Sequence, residues 1–212
     1  SFVRGEETVT TYISDNGPGI TREDLQNHVF RTGNKEISEG ILNNVGWGLK
    51  ASLAWFEESL KQRGLGDDPH WFSLVTQTAE SECLRVDGPI TGDLPIVNAK
   101  ERDWKVGIPS DVDSLLESDH GTRVQATCAR SQFDADVWPS ADSLGTKIQY
   151  VRERLGVLFR RLLSARDDNQ IVVHYHDLPS NEQGTFEVPP ISPSYTDDTA
   201  LKSHEFRTST PR

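Results

Sequence analysis

The stretch that decides the fold is Thr8 to Ile20, TVTTYISDNGPGI, followed by Thr21-Arg22-Glu23-Asp24-Leu25. Seven β-branched, aromatic and small residues from Thr8 to Ser14 predict a strand. Asp15-Asn16-Gly17-Pro18-Gly19 then stops extension, because Pro18 fixes its own φ and the two glycines admit conformations closed to other residues. Thr21 with Asp24 has the Thr-x-x-acid form of a helix N-terminal cap, and Leu25, Val29 and Phe30 supply an apolar face that should run to about Thr32-Gly33. A strand thus ends in a carboxylate, turns on glycines and enters a helix.

Outward from that unit, residues 34–45 are polar and glycine-punctuated, the composition of a mobile loop or lid. Gly46-Trp47-Gly48 then precedes a helical pattern in Leu49, Leu53, Phe56 and Leu60, which Gly64 should close. Free N–H groups and the helix dipole at such a glycine start suit a phosphate. Strands are predicted over 71–78, 82–86 and 104–108. An acidic loop over 111–118 comes next, then a strand over 120–128 that opens with Gly121-Thr122. Residues 143–165 form the clearest helix, with Leu144, Ile148, Val151, Leu155, Leu158 and Leu162 advancing by four, three, four, three and four. Residues 170–175 read as a strand. From Pro179 the chain is rich in Pro, Ser, Thr and Asp, the composition of a connector.

Composition narrows the function classes. The 212 residues carry 33 acidic and 22 basic side chains, a net charge of −11, which argues against a general polyanion-binding surface. No segment reaches the roughly 20 apolar residues needed to span a bilayer, and no signal pattern opens the chain, so a soluble, cytoplasmic protein is expected. Two cysteines, Cys83 and Cys128, make neither a disulfide framework nor a zinc set and read as buried reduced thiols. The chain opens Ser1-Phe2-Val3 and contains no methionine, which leads us to expect a piece of a longer protein.

Three ordered elements, Asp15-x-Gly17-x-Gly19, Gly46-x-Gly48-Leu49-Lys50 and Gly121-Thr122, resemble the boxes of the gyrase, Hsp-type chaperone, histidine kinase and MutL (GHKL) superfamily of ATPases. The resemblance covers residues 8–128, and Gly-Leu-Lys-Ala-Ser looks most like the Morc-type and chaperone-like prokaryotic members. It implies an α/β two-layer sandwich of the Bergerat type, with a mixed, mostly antiparallel sheet. It also implies an ATP-binding domain over 1–178 and a connector over 179–212 leading to a downstream domain. ATP or ADP with Mg2+ would be the cofactor, and an ATP-dependent homodimer of the full-length protein the assembly, with a protein partner or downstream module and no membrane.

The same resemblance implies residue roles. Asp15 would accept a hydrogen bond from the adenine amine, since a carboxylate accepts only. Gly17, Gly19 and Ile20 would pass beneath base and ribose, and Thr122 would hold Asp15 or a bridging water. Thr32 and Gly33, at the end of the first helix, and Trp47 would also contact the nucleotide, and Gly46, Gly48, Leu49 and Lys50 would present backbone N–H groups to the phosphates, with the Lys50 ammonium adding charge. The family's first box, a helix carrying the water-activating Glu and a magnesium-binding Asn, has no counterpart before Thr8. No catalytic residue is therefore assigned, Glu6 and Glu7 being near it only in sequence. Two alternatives stay open: a histidine-kinase-type phosphotransferase domain, and a degenerate nucleotide-binding interaction module. His174 and His176 alternate on one strand but lack a third metal ligand. Lys147, Arg152, Arg154, Arg160, Arg161 and Arg166 make the long helix basic, which reads either as a solvated face or as a surface for nucleic acid or an acidic partner. Trp47 and Trp55 could stack on a base or pack in the core.

Overall fold

Alternating strands fix one apolar face each, and that face must be covered. The computed structural model describes residues 1–30, 48–65, 71–80, 82–88, 95–106, 118–165 and 169–192. Within them the strands are β1 (Phe2–Arg4), β2 (Thr8–Asp15), β3 (Phe72–Gln77), β4 (Leu84–Asp87), β5 (Ile96–Asn98), β6 (Gly121–Ala129), β7 (Val172–Asp177) and β8 (Glu182–Glu187). They form one sheet in the order β5-β4-β3-β6-β2-β1-β7-β8. Every pairing is antiparallel except β1 with β7. The expected fold class, an α/β arrangement with a mixed, mostly antiparallel sheet, is the one observed.

Helices α1 (Arg22–Asp24, continued by a π-helical turn Leu25–Val29), α2 (Gly48–Lys61), α3 (Arg130–Asp136), α4 (Leu144–Leu158) and α5 (Arg160–Ala165) complete the described elements with a 3₁₀ turn at Asp103–Lys105. Two apolar clusters lie between helices and sheet. One joins Val9, Cys128, Val173 and Tyr175 of the sheet to Phe133, Leu144, Ile148 and Leu163. The other joins Phe72, Leu74, Leu84, Val86 and Ala126 to Leu25, Leu53 and Leu60. Phe56 of α2 packs against both, so α2 ties the two halves of the layer. On the opposite face the described residues form a small cluster, Val75 and Cys83 under Trp104.

Several elements depart from the sequence reading. The strand predicted over 104–108 is a 3₁₀ turn as far as it is described, closed by Lys105 N–H to Arg102 O at 2.9 Å and Val106 N–H to Asp103 O at 3.2 Å. One fully buried ring, Trp104, sets that conformation by filling the hollow over Val75 and Cys83. The helix predicted over 143–165 starts as expected, with Ser143 Oγ accepting from Thr146 N–H at 3.1 Å, but breaks at Phe159. The carbonyl of Gly156, which would close the turn onto residue 160, accepts instead from Ile191 N–H at 3.1 Å. A side chain at Gly156 would strike Pro189 and Ile191, so the glycine admits the crossing chain.

The basic helix is also not one solvated face. Lys147 is 2% exposed and its ammonium donates to the carbonyls of Asp134, Val137 and Trp138 at 2.9, 3.1 and 2.9 Å, capping the C-terminal end of α3. Arg152 donates to Glu187 O at 2.6 Å, and Arg154 lies over the Trp138 ring. Within the stretch expected to be a connector, residues Glu182–Glu187 form β8, an edge strand of the same sheet, and Val188 joins the first cluster. Composition concealed this because an edge strand facing water on one side tolerates Glu, Gln and Thr. Arg166, the loop over 34–45, the acidic loop over 111–117 and the stretch 193–212 lie outside the described residues.

Candidate functional site

Register builds the site. Asp15, the last residue of β2, pairs with Thr122 of β6, and Thr122 pairs with Thr76 of β3. Directly opposed residues share a face, and this row shares that of Val9, Ala126 and Leu74, the face the helices cover. A carboxylate and two hydroxyls therefore stand side by side at one end of the sheet.

Two glycines are required here for steric reasons. Gly19 has φ +75°, and a Cβ on it would collide with the backbone of Gln77 and Thr78, so the turn after Asp15 rests directly on the end of β3. A Cβ on Gly121 would run into the Asp15 carbonyl and the Trp104 ring. Both motif glycines therefore allow backbone to approach backbone around Asp15. Gly17 has a different role: its N–H donates to Asp15 Oδ1 at 2.8 Å. Ile20 N–H donates to Thr76 Oγ1 at 2.8 Å, and Thr76 Oγ1 lies 3.0 Å from Thr122 Oγ1 and 3.3 Å from Gly121 O.

Thr76, which the sequence reading did not single out, is thus the hub linking the Asp15 turn to the Gly121-Thr122 strand. Thr122 lies beside Asp15 in register, but its hydroxyl is paired with Thr76. Thr76 is fully buried and Thr122 is 7% exposed. Asp15 is exposed by surface area, yet the protein packed behind it raises its carboxyl above the ordinary value, an effect opposed by the Gly17 N–H. A carboxylate offers about four acceptor positions, and the Gly17 bond uses one, so capacity remains for a donor on a ligand.

The second box is described from Gly48 onward. Leu49 packs against the same apolar cluster as Ile20, which brings the first turn of α2 and the Asp15 turn onto one patch of core. No described atom lies within 4 Å of a Cβ placed on Gly48, and this glycine is exposed among the described residues. Lys50 is partly exposed, and desolvation lowers the pKa of its ammonium. Thr32, Gly33, Gly46 and Trp47 lie outside the described residues. Trp55 is not beside Asp15: its indole N–H donates to Asp136 at 3.1 Å and its ring packs on Phe56, the core role.

Other candidates separate from this cluster. Glu6 and Glu7 precede β2 at the end opposite Asp15, about 27 Å away for eight extended residues, and line a groove of about 480 Å³ with Arg63, Leu65, Arg130, Ser131 and Asp134. A second groove of about 420 Å³, lined by Gln77, Glu82, Cys83, Asn98, Ala99 and Glu101, opens behind β3. Neither includes Asp15. Among the described residues no three His, Cys, Asp or Glu gather as metal ligands, and no helix is long and apolar enough to cross a membrane. His174 faces Thr185 at 3.1 Å on the face away from the helices.

No family model matches the chain, and no curated protein matches it. Solved structures of similar fold include the N-terminal domain of a DNA repair protein, with TM-score 0.48 and 13% identity over 90% of this chain and 46% of that one. The Aquifex aeolicus MutL ATPase domain complexed with ADP gives 0.38 and 12% over 90% and 54%. The 43K ATPase domain of Thermus thermophilus gyrase B in complex with an aminocoumarin gives 0.33 and 14% over 89% and 39%. This chain spans between about two fifths and just over half of the length of those chains.

Proposed function

We propose that the chain is a nucleotide-binding domain that takes ATP or ADP at the Asp15 end of the sheet, and that it belongs to a longer, dimerising ATPase. The observation that carries the reading is the Asp15–Thr122–Thr76 row, brought together by two glycines whose Cβ atoms would collide with backbone. An acceptor-only carboxylate set in a rigid turn suits an exocyclic amine, which donates only; a guanine presents a carbonyl oxygen at the corresponding position and would meet it with repulsion. Gly48, exposed and with no described atom within 4 Å of a Cβ placed on it, stands in the first described turn of α2, and phosphates suit that place because a helix N-terminus attracts anions, with Lys50 adding charge.

Magnesium would arrive with the phosphates and supply charge neutralisation at the transferring group. The described residues offer it no carboxylate cluster. Glu6 and Glu7, about 27 Å from Asp15 along β2, are not the groups that activate water at this site. Hydrolysis, dimerisation and cytoplasmic location belong to this proposal as properties of the longer protein.

Displacement of a fluorescent adenine nucleotide tests the reading. ADP should displace it at concentrations at least tenfold below those needed for GDP, and Asp15→Asn should no longer bind the adenine probe. Equal displacement by GDP and ADP would count against Asp15 as the base reader. Failure of the probe to bind at all would leave the degenerate interaction module as the better account.

A further inference from the structure

One ring nitrogen joins two of the motifs without belonging to either. His120 Nδ1 lies 2.7 Å from the carbonyl oxygen of Gly17, across 103 positions of sequence. A carbonyl only accepts, so Nδ1 carries the proton and donates, which leaves Nε2 as the other ring position. Gly17 is the residue whose N–H holds Asp15 Oδ1. His120 therefore grips one side of the peptide pair at Gly17 while Asp15 grips the other.

The grip is itself anchored. His120 N–H donates to Ser118 Oγ at 3.2 Å, and the next residue, Gly121, is pressed against the Asp15 carbonyl. Its other neighbour, Asp119, pairs with Arg102 at 2.5 Å. Arg102 N–H in turn donates to Gln77 Oε1 at 2.9 Å, and the Gln77 backbone is the surface on which Gly19 rests. The path from Gly17 through His120, Asp119, Arg102 and Gln77 returns to Gly19, enclosing the turn that carries Asp15.

We propose that His120 is a positioning residue for nucleotide binding: its Nδ1–H fixes the Gly17 carbonyl, so that Gly17 N–H occupies Asp15 Oδ1 and the rest of the carboxylate stays aimed at the base. This rests on the nucleotide-binding reading given above. His120 touches the turn and acts through it.

The test uses the full chain with His120→Ala, His120→Asn and His120→Gln. An asparagine amide N–H can reach the place of Nδ1, whereas a glutamine amide reaches the place of Nε2, so the pair separates a specific hydrogen bond from bulk. Two readouts are taken: ADP affinity, and hydrogen exchange of the Gly17 amide without nucleotide. One lost hydrogen bond corresponds to about 3–10-fold. His120→Ala and His120→Gln should weaken ADP by that factor and speed Gly17 exchange, while His120→Asn stays within about twofold of wild type in both. If wild type binds ADP and all three variants match it, with Gly17 exchange unchanged, the positioning role is wrong and the nucleotide reading stands. If Asn and Gln variants are equally weak, the Nδ1 bond is not the cause and the proposal falls. If wild type binds no adenine nucleotide, the reading of the site fails; that result overturns the nucleotide role of His120 whatever the exchange shows.

Discussion

Replacing Gly19 with alanine should be among the most damaging single-methyl additions in the protein. The native φ of +75° costs an alanine about 1–2 kcal/mol, because its Cβ approaches the carbonyl oxygen in left-handed backbone. The new methyl would also lie 2.6 Å from the Gln77 carbonyl carbon and 2.9 Å from Thr78 N, both backbone atoms within or next to β3 that cannot swing aside. Overpacking of that kind costs about 1–3 kcal/mol, and the two effects together set an expected loss of about 2–5 kcal/mol. Gly48→Ala is the matched control, since no described atom lies within 4 Å of its Cβ and alanine favours a helix by up to about 1 kcal/mol over glycine. Urea unfolding of both variants beside wild type, with equal slopes, reads the difference directly. Exchange of the Ile20 amide, which donates to Thr76, reports the turn itself. The reasoning is refuted if Gly19→Ala unfolds within about 0.5 kcal/mol of wild type and leaves Ile20 equally protected.

Other expectations follow from single contacts. Lys147→Met should cost about 2–4 kcal/mol by urea unfolding, since it strips three carbonyls of a charged donor; a stable variant would mean those carbonyls find other donors. Cys83 and Cys128 should resist a disulfide thiol reagent at pH 8 in the folded chain and label only on unfolding. Burial raises both thiols, Cys128 to about 12; rapid labelling of native protein would contradict the burial. Asp15 has a raised pKa, so between the ordinary carboxylate value and that raised value the folded state binds more protons than the unfolded state, and its stability improves as pH falls through this window. Asp15→Asn should accordingly be more stable than wild type at neutral pH, the gap closing as pH falls through the raised pKa; a gap that widens on acidification would reverse the assigned sign.

How much was legible depended on the range of the interactions. The β2 strand, the Asp15 turn and the Thr21 cap are local chemistry: glycine φ, a proline and a hydroxyl accepting from Asp24 N–H at 3.1 Å three residues on. The α2 helix and the β6 strand were legible from spacing for the same reason. Thr76 and His120 were not, because their value lies in bonds to Ile20 and Gly17 that only the sheet order creates, 56 and 103 residues away. The helix break at Phe159 was hidden by a smooth apolar repeat, since it depends on Ile191 taking the Gly156 carbonyl. Lys147 read as surface charge because lysine is seldom buried, and only the end of α3 shows what it caps. β1 escaped notice at three residues, yet it supplies the one parallel pairing among the described strands, and its Arg4 reaches Asp134 at 2.8 Å and Asp177 at 3.4 Å.

The central claim is that Asp15 reads an adenine nucleotide. Calorimetric titration of ADP, and of a non-hydrolysable ATP analogue with magnesium, into the wild-type chain and its Asp15→Asn variant tests it most directly. The account predicts saturable binding of both nucleotides to wild type and its loss in Asp15→Asn, with the variant still folded by urea unfolding. Binding of equal strength to both proteins, or no binding to wild type by calorimetry and by an independent fluorescence titration, would contradict it.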